Sequence, residues 1–223
     1  MDILYITRKS PNNDLELMYS LRSLSHIRDL GRVFICGYLP RFVKNVTYIP
    51  CDDIGYPAIN HWWKVTQAIK NSDIGENFVL MYDDIFFLKD TTLGTFPNYH
   101  RGILGEVKVG TPLYQETLCK TKKWLLKHEL PILDYSLHLP FTYNRGNFLM
   151  LEEIFKPLIR EQSPLAPRSI YGNMFVNDSP LRDDFKMRNI SDSIPDRECF
   201  SVSDSCFPQN LLDTLYPLKG DFE

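Results

Sequence analysis

Two adjacent carboxylates, Asp83 and Asp84, interrupt an apolar stretch, with Phe78-Val79-Leu80-Met81 before them and Ile85-Phe86-Phe87-Leu88 after. Burying two unpaired charges in such a run is costly, so the pair must turn to water, cap a helix or meet a cation. Carboxylates are hard oxygen ligands, and the ions they suit, Mg²⁺ and Mn²⁺, also bind phosphate oxygens. Successive side chains on an extended strand point to opposite faces. If the backbone stays extended here, only one aspartate can face such an ion, and we assign that place to Asp84. Asp83 is then left for a sugar or ribose hydroxyl, or for the backbone. The plain alternative is a solvated turn between two strands.

Other polar residues are candidates by type and place. Arg22 lies among Leu17, Leu21 and Leu24 at helical spacing. It can fork onto phosphate oxygens, pair with Asp83, or be an ordinary ion-paired helix residue. Asn60, Trp62, Trp63 and Lys64 share a second helical pattern. One tryptophan should pack inward, while the other, with Asn60 or Lys64, can face a cleft and offer a ring to a base or sugar. His61, His100 and His138 are lone histidines, a pattern as often structural as functional. Lys120, Lys122, Lys123 and Lys127 with Trp124 make a basic, aromatic helix, suited to an anionic polymer such as DNA or simply to water.

These residues need a scaffold to bring them together. The patterns predict strands at Ile3–Thr7, at Arg32–Cys36 ended by Gly37, at Val46–Ile49 ended by Pro50, and at Phe78–Met81. Asn13 with Glu16 resembles a capping box opening a helix that carries Leu17, Leu21, Leu24 and Arg28. A second, aromatic-rich helix spans Ile59–Lys70. Strands alternating with helices imply an α/β fold with a mixed, mostly parallel sheet flanked by helices. Ligands of such sheets lie beyond the carboxyl ends of the strands. Thr7, Gly37 and Asp83-Asp84 all fall at predicted strand exits and so converge on one edge.

The second half is less regular. It predicts a strand at Gly102–Val109, a helix at Tyr114–His128 and a short strand at Tyr135–Leu139 closed by Pro140. A helix at Phe148–Arg160 should kink or end at Pro157. A further helix is expected at Ser169–Asn177, a strand at Cys199–Val202 and a short helix at Gln209–Leu215. Ser163–Arg168, with two prolines, is the best linker candidate, yet we expect one domain over residues 1–223 with a seam near residue 110.

Composition narrows the classes. The 223 residues are 43% hydrophobic and 24% charged, as in ordinary globular proteins, and can bury a substantial core. A net charge of −3 argues against a surface built mainly to neutralise nucleic acid, although it leaves room for a local basic groove. The five cysteines are odd in number and scattered, with no C-x-x-C pair, which suits reduced thiols in the cytoplasm. No signal peptide and no stretch able to span a membrane is visible.

Three blocks in order, Leu17–Leu24 (LMYSLRSL), Arg32–Gly37 (RVFICG) and Asn77–Leu88 (NFVLMYDDIFFL), resemble the GT-A-fold glycosyltransferases related to the Stealth-type capsule sugar-phosphotransferases. The likeness extends to Tyr135–Pro140 (YSLHLP), similar to a late H-x-P element. It also takes in Phe200–Ser203 (FSVS) and Tyr216–Glu223 (YPLKGDFE), similar to the closing segment of small phage and bacterial members. The resemblance implies a nucleotide-sugar donor held by the first half, at Thr7, Arg8, Arg22, Gly37, Asn60, Lys64 and Asp83. It implies an acceptor on residues 111–223. Asp84 and His138 would hold Mn²⁺ or Mg²⁺ against the diphosphate, and Asp184, Asp183 or Asp134 would take the acceptor's proton. The acceptor would be a glycan or, in a phage protein working in host cytoplasm, a hydroxymethylated DNA base. The resemblance leaves open transfer of a sugar 1-phosphate instead, and equally a binding module without chemistry. One departure is plain: the D-x-D metal motif of many GT-A enzymes needs a carboxylate at position 82, which is Tyr82 here.

Overall fold

The computed structural model describes residues 1–105, 111–161, 165–184, 186–189 and 193–223. Strand β1 (Asp2–Thr7) leads through α1 (Leu15–Ser23) to β2 (Val33–Gly37) and β3 (Thr47–Pro50). Helix α2 (Pro57–Asn71) then returns the chain to β4 (Asn77–Met81). With β6 (Phe141–Asn144) these form a five-stranded sheet of order β3-β2-β1-β4-β6, in which only β6 is antiparallel to its neighbour. Thr7 stands opposite Gly37 and Tyr5 opposite Met81, so the carboxyl ends of β1, β2 and β4 meet at one edge.

Both faces of the sheet are covered. Ile3, Tyr5, Val33 and Ile35 pack with Leu17, Leu21 and Leu24 on the α1 side. Leu4, Phe34, Cys36 and Leu80 pack with Trp62, Val65 and Ile69 of α2 on the other. That double burial is why these strands read as unbroken apolar runs. Trp62 is buried there, stacked between Phe148 of α4 (Arg145–Met150) and Phe155 of α5 (Glu152–Glu161) at ring distances of 4.3 and 4.2 Å. Helices α3 (Pro112–Lys127) and α6 (Pro167–Phe175) complete that layer. A smaller sheet, β5 (Ile85–Phe87), β8 (Cys199–Val202) and β7 (Lys186–Met187) in that spatial order, packs with α7 (Gln209–Leu215) around Phe86, Phe200 and Leu212.

Several expected elements differ. The capping box does not form: Asn13 and Asp14 take positive φ (53° and 62°), and α1 begins only at Leu15. Glu16 instead accepts from the Ser10 hydroxyl (2.6 Å) and the Asn12 amide (2.9 Å). The helix stops at Ser23, and a 3-10 turn at Leu24–His26 leaves Arg28 outside it. The single helix expected at Phe148–Arg160 is two, parted at Leu151, and Pro157 lies inside the second. Of the strand expected at Gly102–Val109, residues 106–109 lie outside the described residues, and Ile103 makes only an isolated bridge to Leu133. Positions 163 and 164 of the expected linker also lie outside them.

Tyr135–Leu139 is the instructive difference. Its alternation is real, with Tyr135, Leu137 and Leu139 buried, yet it pairs with no strand among the described residues. Side chains take its backbone groups instead. Tyr135 N–H donates to Ser169 Oγ (3.1 Å), and Asn173 brackets Leu133 through its N–H and C=O (2.8 Å each). Arg168 donates to the Leu137 and Leu139 carbonyls. Helix α6 therefore acts as the missing strand.

The α6 contact has no spare room at Gly172, where an added methyl would overlap the ring of Tyr135, itself 1% exposed. Alanine gains up to about 1 kcal/mol in helix propensity, which overpacking of about 1–3 kcal/mol outweighs. Gly172→Ala should therefore lower the melting temperature by several degrees, as read by thermal denaturation, and an unchanged or raised midpoint would show that this contact is loose.

Candidate functional site

A cavity of about 640 Å³ opens beyond the carboxyl ends of β1 and β4. Its floor is the turn Tyr82-Asp83-Asp84, closed by Ile85 N–H on the Tyr82 carbonyl (3.3 Å). Because the chain turns here and is not extended, both carboxylates reach the wall, where an extended strand would have admitted one. Ser20 of α1 pins the turn: its hydroxyl donates to the Ile85 carbonyl (2.7 Å) and accepts from Tyr5 (2.9 Å). From the small sheet, Val202 N–H donates to the Asp84 carbonyl (3.2 Å).

The two aspartates have different surroundings. Asp84 Oδ2 accepts from Lys186 Nζ at 2.7 Å, while Oδ1 is buried with no partner. Burial, with the charges of Asp84 and Glu16, pushes the Asp83 carboxyl up to about 7.

On the β1–β2 side, Lys64 is 4% exposed; its ammonium donates to the Thr7 carbonyl (2.6 Å) and pairs with Asp53. Thr7, Arg8, Asn60 and Lys64 all line the cavity. Gly37 stands behind that wall. Its φ of 124° and the nearby Thr7 carbonyl and Lys64 ammonium leave no place for a side chain. Asn60 spends its amide on the loop before α2, accepting from Ile54 and Gly55 N–H (2.8 and 3.0 Å). Arg22 is off the wall, forked onto Glu223 through Nε and Nη2 (2.7 and 3.0 Å). Trp62 is core, and Trp63 is not among the lining residues.

On the opposite side His138 and Asp184 line the cavity as a pair. The ring Nδ1–H and the backbone N–H of His138 donate to the two oxygens of Asp184 (2.9 and 2.8 Å). Burial alone would raise the Asp184 carboxyl, but the bonds and charge of His138 outweigh it and hold it below its ordinary value. Asp134 is buried in an ion pair with Arg101 (2.7 Å) and, like Asp183 and His100, is absent from the wall. On the α3 face Lys120 pairs with Glu116 (2.9 Å) and Trp124 stacks on His128 (3.9 Å), so that ring is already covered.

Three features escaped the sequence. Tyr82, standing where a D-x-D carboxylate would be, bonds His61 Nδ1 (2.7 Å), and His61 Nε2 bonds the Tyr143 hydroxyl (3.0 Å). Burial, aided by the charge of Arg168, holds His61 well below its usual value, so it is neutral, with one nitrogen donating and the other accepting. Lys186 sits on a two-residue strand, too short to show a period. Arg168 is 4% exposed, yet it lies in a Pro-rich stretch whose pattern points to a linker.

Among the described residues no three His, Cys, Asp or Glu side chains form a group able to hold a metal ion. The free Oδ1 of Asp84 nevertheless suits Mg²⁺ or Mn²⁺ arriving with a diphosphate, because such ions commonly take one or two carboxylates and complete their shell with substrate phosphates and water. All five cysteines are free, and no helix among the described residues is long and apolar enough to cross a membrane.

No family model and no curated protein matches this chain. Among solved structures, an active-site mutant of LgtC superposes with a TM-score of 0.53 at 9% identity, covering 96% of this chain and 95% of that one. A structure of the galactosyltransferase LgtC with donor and acceptor sugar analogs gives 0.49 at 9% identity, over 97% and 95% of the two chains. A glycosyltransferase involved in glycosylating the major capsid of PBCV-1 gives 0.44 at 12% identity, over 96% and 98%. The first likeness shows the fold: this chain has the GT-A-like architecture of LgtC, a mostly parallel sheet flanked by helices.

The buried, neutral His61 makes acid stability testable. Its folded-state value is depressed, so its contribution is present above the unfolded value of about 6.5 and is lost as pH falls below it. Wild type should lose up to about 1.4 kcal/mol per pH unit more than His61→Gln between pH 6.5 and 5. Denaturant melts across that range measure the two slopes, and parallel slopes would show that His61 takes up a proton freely in the folded state.

Proposed function

We propose that the chain transfers a glycosyl group from a nucleotide-sugar to an acceptor hydroxyl, releasing the nucleoside diphosphate. One observation carries the reading: Asp83, Asp84 and Lys64 share a single cavity at the carboxyl ends of the parallel strands. From β1 the sheet is built outward in both directions, to β2 on one side and β4 on the other, and the crevice at such a point is where open α/β sheets bind ligands. LgtC, whose fold the chain shares, is a galactosyltransferase. Fold alone does not fix chemistry, so the reading rests on the residues of the cavity.

Thr7, Arg8 and Lys64 would hold the nucleotide, and the Lys186 ammonium would face the negative charge that grows as the anomeric C–O bond to phosphate breaks. Mn²⁺ or Mg²⁺ carried in with the donor would add charge neutralisation at Asp84. Asp184 is a weak base in its His138 pair and serves better to orient the ring. Nε2 of His138 is then the nitrogen left to accept the acceptor's proton as its oxygen bonds the anomeric carbon. In this arrangement His138 acts as a base and not as the metal ligand expected from the sequence. A glycan suits the acceptor side better than DNA, because the ring of the basic α3 face is already stacked on His128. A second reading, a binding module without turnover, draws on Tyr82 bonded to His61 and on Asp84 neutralised by Lys186.

The test is thermal stabilisation by a panel of nucleoside diphosphates and nucleotide-sugars, with and without Mn²⁺, on wild type and Asp84→Asn. A ligand at about 100 times its Kd adds about 2.7 kcal/mol. We expect one nucleotide to raise the midpoint, with the Mn²⁺-dependent part lost in Asp84→Asn. No shift with any ligand would remove the donor site. Binding without diphosphate release in the presence of acceptor glycans would select the binding module. A product heavier by one sugar confirms glycosyl transfer, whereas an added phosphate would make it sugar 1-phosphate transfer, as the Stealth resemblance implies.

A further inference from the structure

Arg168 is the second residue of α6 and is among the residues lining the cavity, although 96% of its surface is covered. Its Nη1 is spent on the Leu137 and Leu139 carbonyls. The guanidinium lies over the Tyr82 ring, 4.5 Å from its centre, and 5.5 Å from that of Phe141. Its Nε and Nη2 are buried with no hydrogen-bond partner. Among the described residues no carboxylate pairs with it. A buried charge without a counter-ion is among the costliest arrangements a fold can hold, and each unmade bond to a charged donor adds to that cost.

The two idle nitrogens form one edge of the guanidinium, with parallel N–H groups that match two oxygens of a carboxylate or phosphate. The same protein shows that edge filled elsewhere: Arg22 uses Nε and Nη2 to grip both oxygens of Glu223 at 2.7 and 3.0 Å. At Arg168 the plane is fixed by two carbonyls and two rings, so the edge is ordered in advance.

We propose that Arg168 is an oxyanion-binding residue of the cavity, gripping two oxygens of a substrate phosphate or carboxylate through its Nε–Nη2 edge. By sheet order Lys64 stands at the exit of β1 and Arg168 at the start of β6, on either side of β4, the strand that leads into Asp83-Asp84. The inference deepens the glycosyl-transfer reading by adding a charged group to the ligand, and it stands on that cavity. The oxyanion has two sources, the diphosphate of the donor or an acidic group on a sugar.

The test compares wild type with Arg168→Lys, which keeps charge and a donor for the carbonyls but lacks the two-pronged edge. Arg168→Gln serves as a second, neutral variant that can still donate to the same carbonyls. Unliganded melts establish that each variant is folded. The probes are inorganic pyrophosphate, uridine, guanosine, cytidine and adenosine diphosphates, the matching nucleosides, glucose 1-phosphate and glucuronate, each titrated by calorimetry. We expect anion affinity to fall by about tenfold or more in both variants while any nucleoside binding holds. Losses on pyrophosphate and a nucleoside diphosphate name the donor as the source; losses confined to glucose 1-phosphate or glucuronate name an acidic sugar. If wild type binds pyrophosphate or an acidic sugar through Arg168 but no nucleotide, the oxyanion site stands and the nucleotide-sugar reading falls. Equal affinity of wild type and variants for every anion, or no anion bound by wild type, overturns the proposal.

Discussion

Three residues, Tyr82, Asp83 and Asp84, join β4, the last of the parallel strands in the large sheet, to β5, the first strand of the small one. So short a connection forces the carboxyl edge of the large sheet and the start of the small sheet to meet at the carboxylates. The turn cannot relax toward either sheet, because Ser20 holds Ile85 from the α1 side and Val202 holds the Asp84 backbone from β8. The other polar groups of the cavity are arranged around this constraint. The small sheet exists in part to bring Lys186 to Asp84, and the β1 exit brings Thr7 and Lys64 to the other side.

Charge is what makes the arrangement sensitive. Lys64 with Asp53 and Lys186 with Asp84 are pairs that neutralise themselves at the wall, and Asp184 is held by its hydrogen bonds from His138. Asp83 and Arg168 stand outside such pairing: one is a carboxyl raised by burial and by its acidic neighbours, the other a cation held by carbonyls and rings. Low-dielectric surroundings magnify both, which makes them the groups most responsive to an incoming charged ligand.

The segment from Leu133 to Leu139 shows how the second half departs from sheet logic. An extended chain needs partners for its backbone groups, and here Ser169, Asn173, Arg168 and Asp184 provide most of them from side chains, while the backbone of Arg101 and Gly102 serves Asp134. His138 owes its place on the wall to that support. A helix packed side-on replaces a strand, and the tight fit of Gly172 against Tyr135 keeps it close enough to do so.

The sequence by itself determined the alternation of β1, α1, β2, α2 and β4 and the convergence of Thr7 and Asp83-Asp84 at one edge. Both follow from apolar periodicity and strand exits, which are local properties. It also marked Lys64, His138 and Asp184 as residues able to face a ligand, without fixing the partner of any. Only the tertiary structure decided that Arg22 belongs to Glu223, that Tyr82 is tied to His61, and that Lys186 meets Asp84 across 102 positions of chain. The same holds for Arg168, whose pattern suggests a linker and whose position makes it a buried cation. Hydrogen-bond partners and counter-ions are chosen by geometry between distant segments, and no spacing along the chain encodes which donor will reach which acceptor.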